Sequence, residues 1–220
     1  MRETPSPQTL RAFLNGHGIA VSPEQAEMLF EHVRLMLEWN LRSNLTRITE
    51  FDRILTAHLL DSLLPARWLP LTGKTLDIGT GAGFPGVPLK ILHSKTQMYL
   101  LESNRKKVSF LKVLLAGLSL PGIHVLHGRW EEPGGWFSEG DERFTAVIMR
   151  AVRIEPGHLT RLAPRVLRPG GVFAWWAGSG RETALENRRM HAYPAPAETR
   201  SYELPGMSAP RRLYLWRMEG

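Results

Sequence analysis

Hydrophobic positions follow two different spacings along the chain, and the change falls near residue 70. Before it, apolar residues recur every three or four positions, which is the spacing of amphipathic helices, and no segment alternates like a strand. From Lys74 onward, short apolar runs alternate with helical stretches, as in a parallel sheet covered on both faces. The pattern predicts an N-terminal helical extension over residues 1–70, packed on an α/β domain over residues 71–220.

The helical part carries clear starting signals. Ser6-Pro7 predicts a short first helix, and Ser22-Pro23-Glu24-Gln25 is a capping box with proline at the first helical position. A polar break, Asn44-Leu45-Thr46, precedes a third helix over about residues 54–64. On that helix His58 and Asp61 are three residues apart, so they share one face and can pair. Such a network would fix the helices on the core.

The second part predicts a seven-stranded, mostly parallel sheet. Its strands are expected at 75–78, 97–101, 122–126, 144–149 and 171–176, and its helices at about 85–93, 104–117, 155–166 and 180–191. Two more strands within about 199–217, around a Pro205-Gly206 turn, would close the sheet as an antiparallel pair. This arrangement is a Rossmann-like α/β fold.

The stretch Leu76–Leu89 reads LDIGTGAGFPGVPL, a strand that runs through a glycine-rich turn into a helix start. Glycine at 79, 81 and 83 permits positive φ and close approach of a ligand to the main chain. Pro85 and Pro88 fit the first helical turn, where their missing N–H groups are not needed. A strand, turn and helix of this kind predict a nucleotide-type cofactor site.

Two cofactors compete for this loop. Gly81, Gly83 and Gly86 match the dinucleotide pattern G-x-G-x-x-G, which is a weak signal on its own. The G-x-G-x-G spacing with Asp77 two residues before the first glycine instead favours S-adenosylmethionine (AdoMet). Asp77 would serve the charged amino-acid tail of AdoMet, either directly or through the amides of the loop.

Ligands in open parallel sheets lie beyond the carboxyl ends of the strands, so the residues that follow each strand are the candidates. Glu102 suits the ribose hydroxyls of either cofactor, while Trp130 and Glu131 would flank an adenine, although Trp130 could equally be core packing. Arg150 would reach the middle of the cleft. A guanidinium is costly there unless it meets a carboxylate, a phosphate or a π face.

Residue types and motifs that the sequence does not contain exclude or disfavour several methylation reactions. No Asn/Asp-Pro-Pro-Tyr motif follows the fourth strand, which disfavours methylation of exocyclic amines. The chain has no cysteine, so a covalent adduct at pyrimidine C5 and thiolate zinc sites are excluded, and no metal is expected. What remains is a nucleophile that needs little activation, and guanine N7 is one, because its lone pair is free at neutral pH. Catalysis would then rest on alignment with the methyl donor, with Arg150 as the catalytic candidate.

Charge suggests the partner. The net charge is +7 and the 28 basic residues are mostly arginine, which favours a polyanion such as nucleic acid, although a GC-rich genome would explain the arginines as well. Arg105, Lys106 and Lys107 form either a basic rim for phosphates or a solvated helix face. No apolar run is long enough for a signal peptide or a membrane span, so a cytoplasmic protein without a membrane partner is expected.

These segments together resemble one family, the bacterial small-subunit ribosomal RNA guanine-N7 methyltransferases, also called glucose-inhibited division protein B. The segments that carry the resemblance are Trp39-Asn40, Asn44-Leu45-Thr46, His58–Ser62, Asp77–Leu89, Arg105-Lys106-Lys107, Phe110-Leu111 and Val147–Ala151. The resemblance implies AdoMet as methyl donor and a guanine in the decoding-region loop of 16S ribosomal RNA, alone or in a small-subunit assembly, as target. Carried over by position, the AdoMet contacts would be Gly79, Phe84, Trp130, Glu131 and Arg150.

The RNA-binding candidates from the same segments and from the far side of the cleft are Asn44, Thr46, His58, Arg105, Lys106 and Arg181. One departure concerns that far side. The family usually has lysine before the glycine that follows the fifth strand, whereas here Ala177 precedes Gly178. Any role of that lysine is therefore either missing or taken over by another residue, for which Arg181 is the candidate.

Another Rossmann-like AdoMet methyltransferase with a different substrate is one alternative, and two other classes of protein also stay open. An NAD-dependent oxidoreductase would need an acid for hydride transfer near the fourth strand, where Arg150 is a poor one. A non-catalytic RNA-binding factor on a degenerate methyltransferase fold is disfavoured by the intact glycine loop with Asp77 and Glu102.

Overall fold

A computed structural model describes residues 4–138, 140–152, 155–177 and 194–219. The N-terminal part is helical, with α1 over Pro7–Gly16 and α2 over Pro23–Ser43. Both helices begin with the predicted capping serine: the hydroxyls of Ser6 and Ser22 accept hydrogen bonds from the backbone N–H three residues on. In the described residues no helix is long and apolar enough to cross a membrane.

The segment predicted as a third helix is a succession of helical turns of different types. It begins as α3 (Phe51–Ile54), continues as a π-helix over Leu55–Leu60 and as α4 (Asp61–Leu63), and ends in a 3₁₀ turn over Leu64–Trp68. Short π-helical stretches frequently occur at functional sites. His58 lies in this one.

The remainder forms a seven-stranded sheet in the order β3-β2-β1-β4-β5-β7-β6. The strands are β1 Lys74–Ile78, β2 Gln97–Glu102, β3 Ile123–His127, β4 Phe144–Arg150, β5 Leu167–Ala177, β6 Glu198–Tyr202 and β7 Arg211–Arg217. β1 to β5 are parallel, and β7 pairs antiparallel with both β5 and β6. The seven-stranded, mostly parallel sheet is therefore confirmed, and the order reverses between β1 and β4.

Helices cover both faces of the sheet. They are α5 (Gly86–Leu92), α6 (Arg105–Leu118) and α7 (Pro156–Val166). The alternation along β4 shows the two layers: Ile148 packs into the core with the N-terminal helices, α5 and α6, while Val147 and Met149 pack into the core with α7. The N-terminal helices thus share a hydrophobic core with the sheet and reach the glycine loop from that face.

β5 begins earlier than the sequence predicts, at Leu167 rather than at 171. Leu167 pairs with Phe144 before a shift in register carries the strand through Pro169-Gly170-Gly171. That triplet is typical of a turn, so the prediction from the sequence places the start of the strand too late. The helix predicted at 180–191 lies outside the described residues.

Candidate cofactor site at the carboxyl edge of the sheet

The glycine turn joins β1 to α5 and is held against the end of the neighbouring strand. The N–H groups of Gly79 and Thr80 both donate to the Leu101 carbonyl of β2, at 2.8 and 3.2 Å. Gly79, Gly81 and Gly83 all have positive φ, as predicted for this turn. The loop therefore lies at the carboxyl edge of β1 and β2, where the strand order reverses.

Asp77 holds this loop from beneath. Its Oδ2 accepts hydrogen bonds from the Thr80 hydroxyl at 2.6 Å and from the Gly86 N–H at 2.9 Å, and the residue is fully buried. Burial raises the pKa of Asp77 from near 3.8 to about 7, even though both hydrogen bonds favour the charged form. Asp77 therefore binds the hydroxyl and the backbone of the loop, as in the second of its two predicted routes to the cofactor tail, and a direct contact with that tail stays a prediction.

Glu102, at the end of β2, binds the same loop from the side. Its Oε2 accepts from the Gly81 N–H at 3.0 Å and its Oε1 from the Asn104 N–H at 2.8 Å. Each carboxylate oxygen has two lone pairs, so these bonds leave acceptor capacity for ribose hydroxyls. Glu102 can thus serve both the loop and a sugar.

Gly79 and Gly81 differ in what a side chain at each position would contact. A Cβ on Gly79 would lie 2.5 Å from Cγ2 of Val152, a residue that follows β4. The space next to Gly79 is therefore already filled by a side chain of the protein. A Cβ on Gly81 would meet nothing nearer than the Gly79 carbonyl at 3.9 Å. The open face of the loop is therefore at Gly81.

Trp130 and Glu131, predicted to flank an adenine, differ in exposure. Trp130 is 3% exposed and packs against Trp136 and Phe173 with ring centroids 6.0 and 6.1 Å apart. It is thus part of the core, as the packing alternative anticipated, although its indole N–H has no partner among the described residues. Glu131 is exposed.

Phe84 lies between two histidines. Its ring stacks on His32 at 4.5 Å and 18° and on His58 at 4.8 Å and 16°, and it is 4% exposed. Sequence reasoning missed His32. The available signal was its place among Leu29, Val33 and Met36 on the buried face of α2, where a histidine is uncommon.

Arg150 is positioned by β4 but points toward the N-terminal helices. Its Nη1 donates to Asp61 Oδ2 at 2.9 Å and to the Ala57 carbonyl at 2.7 Å, and its Nη2 contacts His58 Nδ1 at 3.2 Å. Its guanidinium carbon also lies 5.8 Å from the centroid of the Phe84 ring. Arg150 thus meets a carboxylate of the protein, that of Asp61, and its placement between methyl donor and base stays a prediction.

Asp61 is the centre of a buried polar cluster. Besides Arg150, it accepts hydrogen bonds from the Tyr202 hydroxyl at 2.7 Å and from two nitrogens of Arg211 at 3.1 and 2.8 Å. Burial acts to raise the pKa of Asp61, but Arg150 and Arg211 outweigh it and hold the pKa below its ordinary value. One carboxylate thus faces two guanidinium groups, which leaves one positive charge in excess.

His58 and Asp61 do not pair directly, because Arg150 stands between them and binds both. A guanidinium has only donors, so His58 Nδ1 must accept, and Nε2–H then donates to the Thr46 hydroxyl at 3.0 Å. Burial and the charge of Arg150 lower the pKa of His58 to about 3, which keeps the ring neutral. The predicted direct pair is therefore wrong, whereas a network between the N-terminal helices and the core does exist, in which Arg150 joins His58 to Asp61.

The remaining candidates are more dispersed. Asn44 is exposed at the end of α2 with a φ of 47°, and Thr46 is occupied by His58 and by the Asn40 amide oxygen. Arg105 and Lys106 are exposed in the first turn of α6. Ala177 is fully buried at the end of β5, and Arg181 lies outside the described residues.

These residues fit AdoMet. Gly81 offers an open backbone face, Glu102 keeps lone pairs for the ribose, and the buried indole N–H of Trp130, unpaired within the described part of the chain, lies on the expected adenine side. Within the described ranges, no group of three or more histidine, aspartate or glutamate residues could hold a metal ion. The fold and the loop define a Rossmann-like methyltransferase.

Comparison with known proteins gives the family. The family model "GidB: rRNA small subunit methyltransferase G" matches residues 25–211, and the chain belongs to this family of AdoMet-dependent ribosomal RNA methyltransferases. The chain is 95% identical over 220 residues to ribosomal RNA small subunit methyltransferase G 1 of Syntrophobacter fumaroxidans, with both chains fully covered. It is 48% identical over 178 residues to the Moorella thermoacetica methyltransferase G, covering 80% of this chain and 73% of that one.

Among solved structures, the precorrin-6y C5,15-methyltransferase from Geobacter metallireducens aligns with a TM-score of 0.55 and 12% identity. The alignment covers 72% of this chain and 87% of that one. At this identity the likeness shows the shared fold.

Proposed function

We propose that this protein transfers the methyl group of AdoMet to N7 of a guanine in the decoding-region loop of 16S ribosomal RNA. The observation that carries the proposal is a glycine loop fastened by two carboxylates, Asp77 from beneath and Glu102 from the side, with its open face at Gly81. We infer a cytoplasmic location from the ribosomal substrate, with no membrane partner and no metal.

The side chains around the loop support N7 as the target atom. The pKa of both neighbouring histidines is lowered, mainly by burial, which keeps the rings neutral. His32 donates from Nε2 to the Ala82 carbonyl and its Nδ1 is buried, and both ring nitrogens of His58 are engaged by Arg150 and Thr46. Neither is placed to remove a proton. Guanine N7 needs no general base because its lone pair is free, so positioning and electrostatics would supply the catalysis.

Each residue would then have a defined part. Glu102 would accept from the ribose hydroxyls, the Gly81 backbone would lie beneath the cofactor, and Trp130 and Glu131 would border the adenine. AdoMet, when bound, supplies the methyl group on a sulfonium cation. Arg150 brings the excess positive charge of the Asp61 cluster to within 5.8 Å of the Phe84 ring centroid, where it would orient an anion such as the methionine carboxylate or an RNA phosphate.

RNA would approach over exposed basic residues. Arg105 and Lys106 stand at the start of α6, directly after Glu102 and Asn104. With Asn44 and Arg181, they are the candidates for backbone contacts, whereas Thr46 and His58 would act by supporting the site. Phosphate contacts of this kind make affinity fall log-linearly with salt concentration.

Two measurements test the proposal. Calorimetric titration with AdoMet and NADH side by side is expected to show binding of AdoMet alone, and binding of NADH alone would end the methyltransferase assignment of this site. Methyl transfer from labelled AdoMet is then compared on 16S RNA, on small subunits and on large-subunit RNA. Label in large-subunit RNA only would contradict the proposed substrate.

A further inference from the structure

His32 connects the middle of α2 to the glycine loop across 50 residues of sequence. Its Nε2 lies 2.7 Å from the Ala82 carbonyl oxygen, and the residue is fully buried. A carbonyl only accepts hydrogen bonds, so Nε2 carries the proton and donates it. The orientation of the peptide that follows Ala82 is therefore fixed by a side chain from the N-terminal extension.

The same ring also holds Phe84. It stacks on one face of Phe84 at 4.5 Å, while His58 stacks on the other face at 4.8 Å. A Cβ on Gly83 would lie 3.2 Å from His32 Nε2 and 2.8 Å from Val87, so the loop is packed tightly against this ring. His32 thus contacts three consecutive positions of the loop, by hydrogen bond, by close packing and by stacking.

A histidine at this position carries a cost that packing alone does not explain. Its Nδ1 is buried and has no partner among the described residues, and an unpaired buried polar atom destabilises the folded state because it has lost its hydrogen bonds to water. Its neighbours on the buried face of α2, Leu29 and Met36, fill the core without that cost. What the histidine adds is the directed bond to Ala82.

We propose that His32 is a positioning residue, which holds Gly81 to Phe84 in the conformation that binds the methyl donor. This inference rests on the proposed cofactor site. It makes the N-terminal extension a part of that site, because α2 then sets the affinity for AdoMet as well as covering the core.

Two variants separate the functions of the ring. His32→Phe keeps a stacked ring and loses the donor, whereas His32→Gln keeps an amide donor and loses the ring. Val33→Ala is the matched control, since Val33 is a buried neighbour on α2 that makes no side-chain hydrogen bond. Thermal unfolding of the three variants measures how much stability each has lost, so that effects on the loop and on AdoMet affinity can be compared with that loss.

The first readout uses the free protein. Hydrogen exchange of the peptide over residues 79–86 reports the amides of Gly83 and Phe84, which both bond to the Thr80 carbonyl. We expect faster exchange there in His32→Phe than in Val33→Ala when the two are compared at equal stability. Equal exchange in both variants would overturn the proposal, whatever the protein binds.

The second readout is affinity. Loss of the Ala82 bond is expected to raise the Kd and the KM for AdoMet about tenfold in His32→Phe, with kcat at saturating AdoMet changed far less. His32→Gln should recover part of the loss. A Kd within about twofold of the unmodified protein in both His32 variants would reduce His32 to core packing. Failure of the unmodified protein to bind AdoMet would instead overturn the proposed function.

Discussion

Arg150 and Asp61 are 89 residues apart in sequence and joined by an ion pair of 2.9 Å between Nη1 and Oδ2. The pair links the end of β4, at the proposed cofactor site, to the helices of the N-terminal extension. Side-chain exposure is 11% for Arg150 and 2% for Asp61. An ion pair this buried makes the geometry of the site depend on that extension.

The first prediction tests this link by a double-mutant cycle with Arg150→Met and Asp61→Asn. Asp61→Asn leaves two buried guanidinium groups without their carboxylate and should lower the free energy of unfolding by about 3–5 kcal/mol. Arg150→Met should cost less, because Arg211 still pairs with Asp61. Denaturant unfolding should give a coupling energy of about 1–3 kcal/mol, whereas additive losses would show that the pair is energetically unimportant.

Substitutions of Arg150 also test whether this residue acts in turnover or only in maintaining the structure. Arg150→Met should remain folded and lose most methyl transfer, measured as kcat with 16S RNA. Arg150→Lys should rescue little, because one ammonium cannot reproduce the fork that binds Asp61, Ala57 and His58 together. Near-normal turnover of Arg150→Met would leave Arg150 with a structural role only.

Asp77 gives a prediction about pH. The folded pKa near 7 lies above the unfolded value near 3.8, so between these pH values the unfolded chain releases a proton that the folded protein keeps. The contribution of protonated Asp77 to the free energy of unfolding is fully present below about pH 4 and is lost as pH rises through 7. The free energy of unfolding falls by at most about 1.4 kcal/mol per pH unit from this cause.

Asp77→Asn removes that titration, and Asn can still accept from Thr80 and Gly86. The stability of the unmodified protein relative to Asp77→Asn should therefore fall as pH rises from 4 to 7. His32 and His58, whose pKa values are lowered to about 4 and 3, act in the opposite direction but are present in both proteins. A difference in stability that is independent of pH would show that Asp77 is ionised throughout this range.

Gly81 tests where the cofactor approaches the loop. Gly81→Ala places a Cβ on the open face at a φ of 62°, so it should cost only about 1–2 kcal/mol of stability through backbone strain. Gly18→Ala is the matched control, since Gly18 has a φ of 77°, a Cβ there would have no atom within 4 Å, and the residue is far from the loop in sequence. Calorimetry should show loss of AdoMet binding in Gly81→Ala alone; equal affinities would move the cofactor elsewhere.

Glu102 tests the second support of the loop. Glu102→Gln keeps one acceptor oxygen and turns the other into an amide donor, which faces the N–H of either Gly81 or Asn104. We expect AdoMet affinity to fall about tenfold or more, in line with the loss of a hydrogen bond to a charged group. Glu132→Gln, at an exposed position in the same region, should bind as the unmodified protein does. Unchanged affinity in Glu102→Gln would place the ribose away from Glu102.

The parallel sheet, its closing antiparallel pair and the glycine turn could be predicted from the sequence because each has a local signal. The spacing and the length of the apolar runs identify the strands, and the glycines with Pro85 and Pro88 identify the turn. The end of β5 at Ala177 is also close to its expected place, because the apolar run there is unambiguous.

The partners of the site residues could not be predicted in this way. Asp61 meets Arg150, Tyr202 and Arg211 only after the chain has folded, and no local pattern fixes which side chain a buried carboxylate will meet. The same holds for Glu102, whose two oxygens bind backbone amides. Sequence thus indicates where the chemistry lies, and packing decides which groups are free to perform it.

The most direct test of the proposed reaction is the position of the transferred methyl group. Small-subunit RNA is incubated with the protein and AdoMet, and then reduced with borohydride and cleaved with aniline, a treatment that breaks the strand at N7-methylguanine. We expect one new cleavage, within the decoding-region loop, that is absent with Gly81→Ala. Incorporation of labelled methyl without strand cleavage would contradict N7 as the target and with it the inference that no general base is needed.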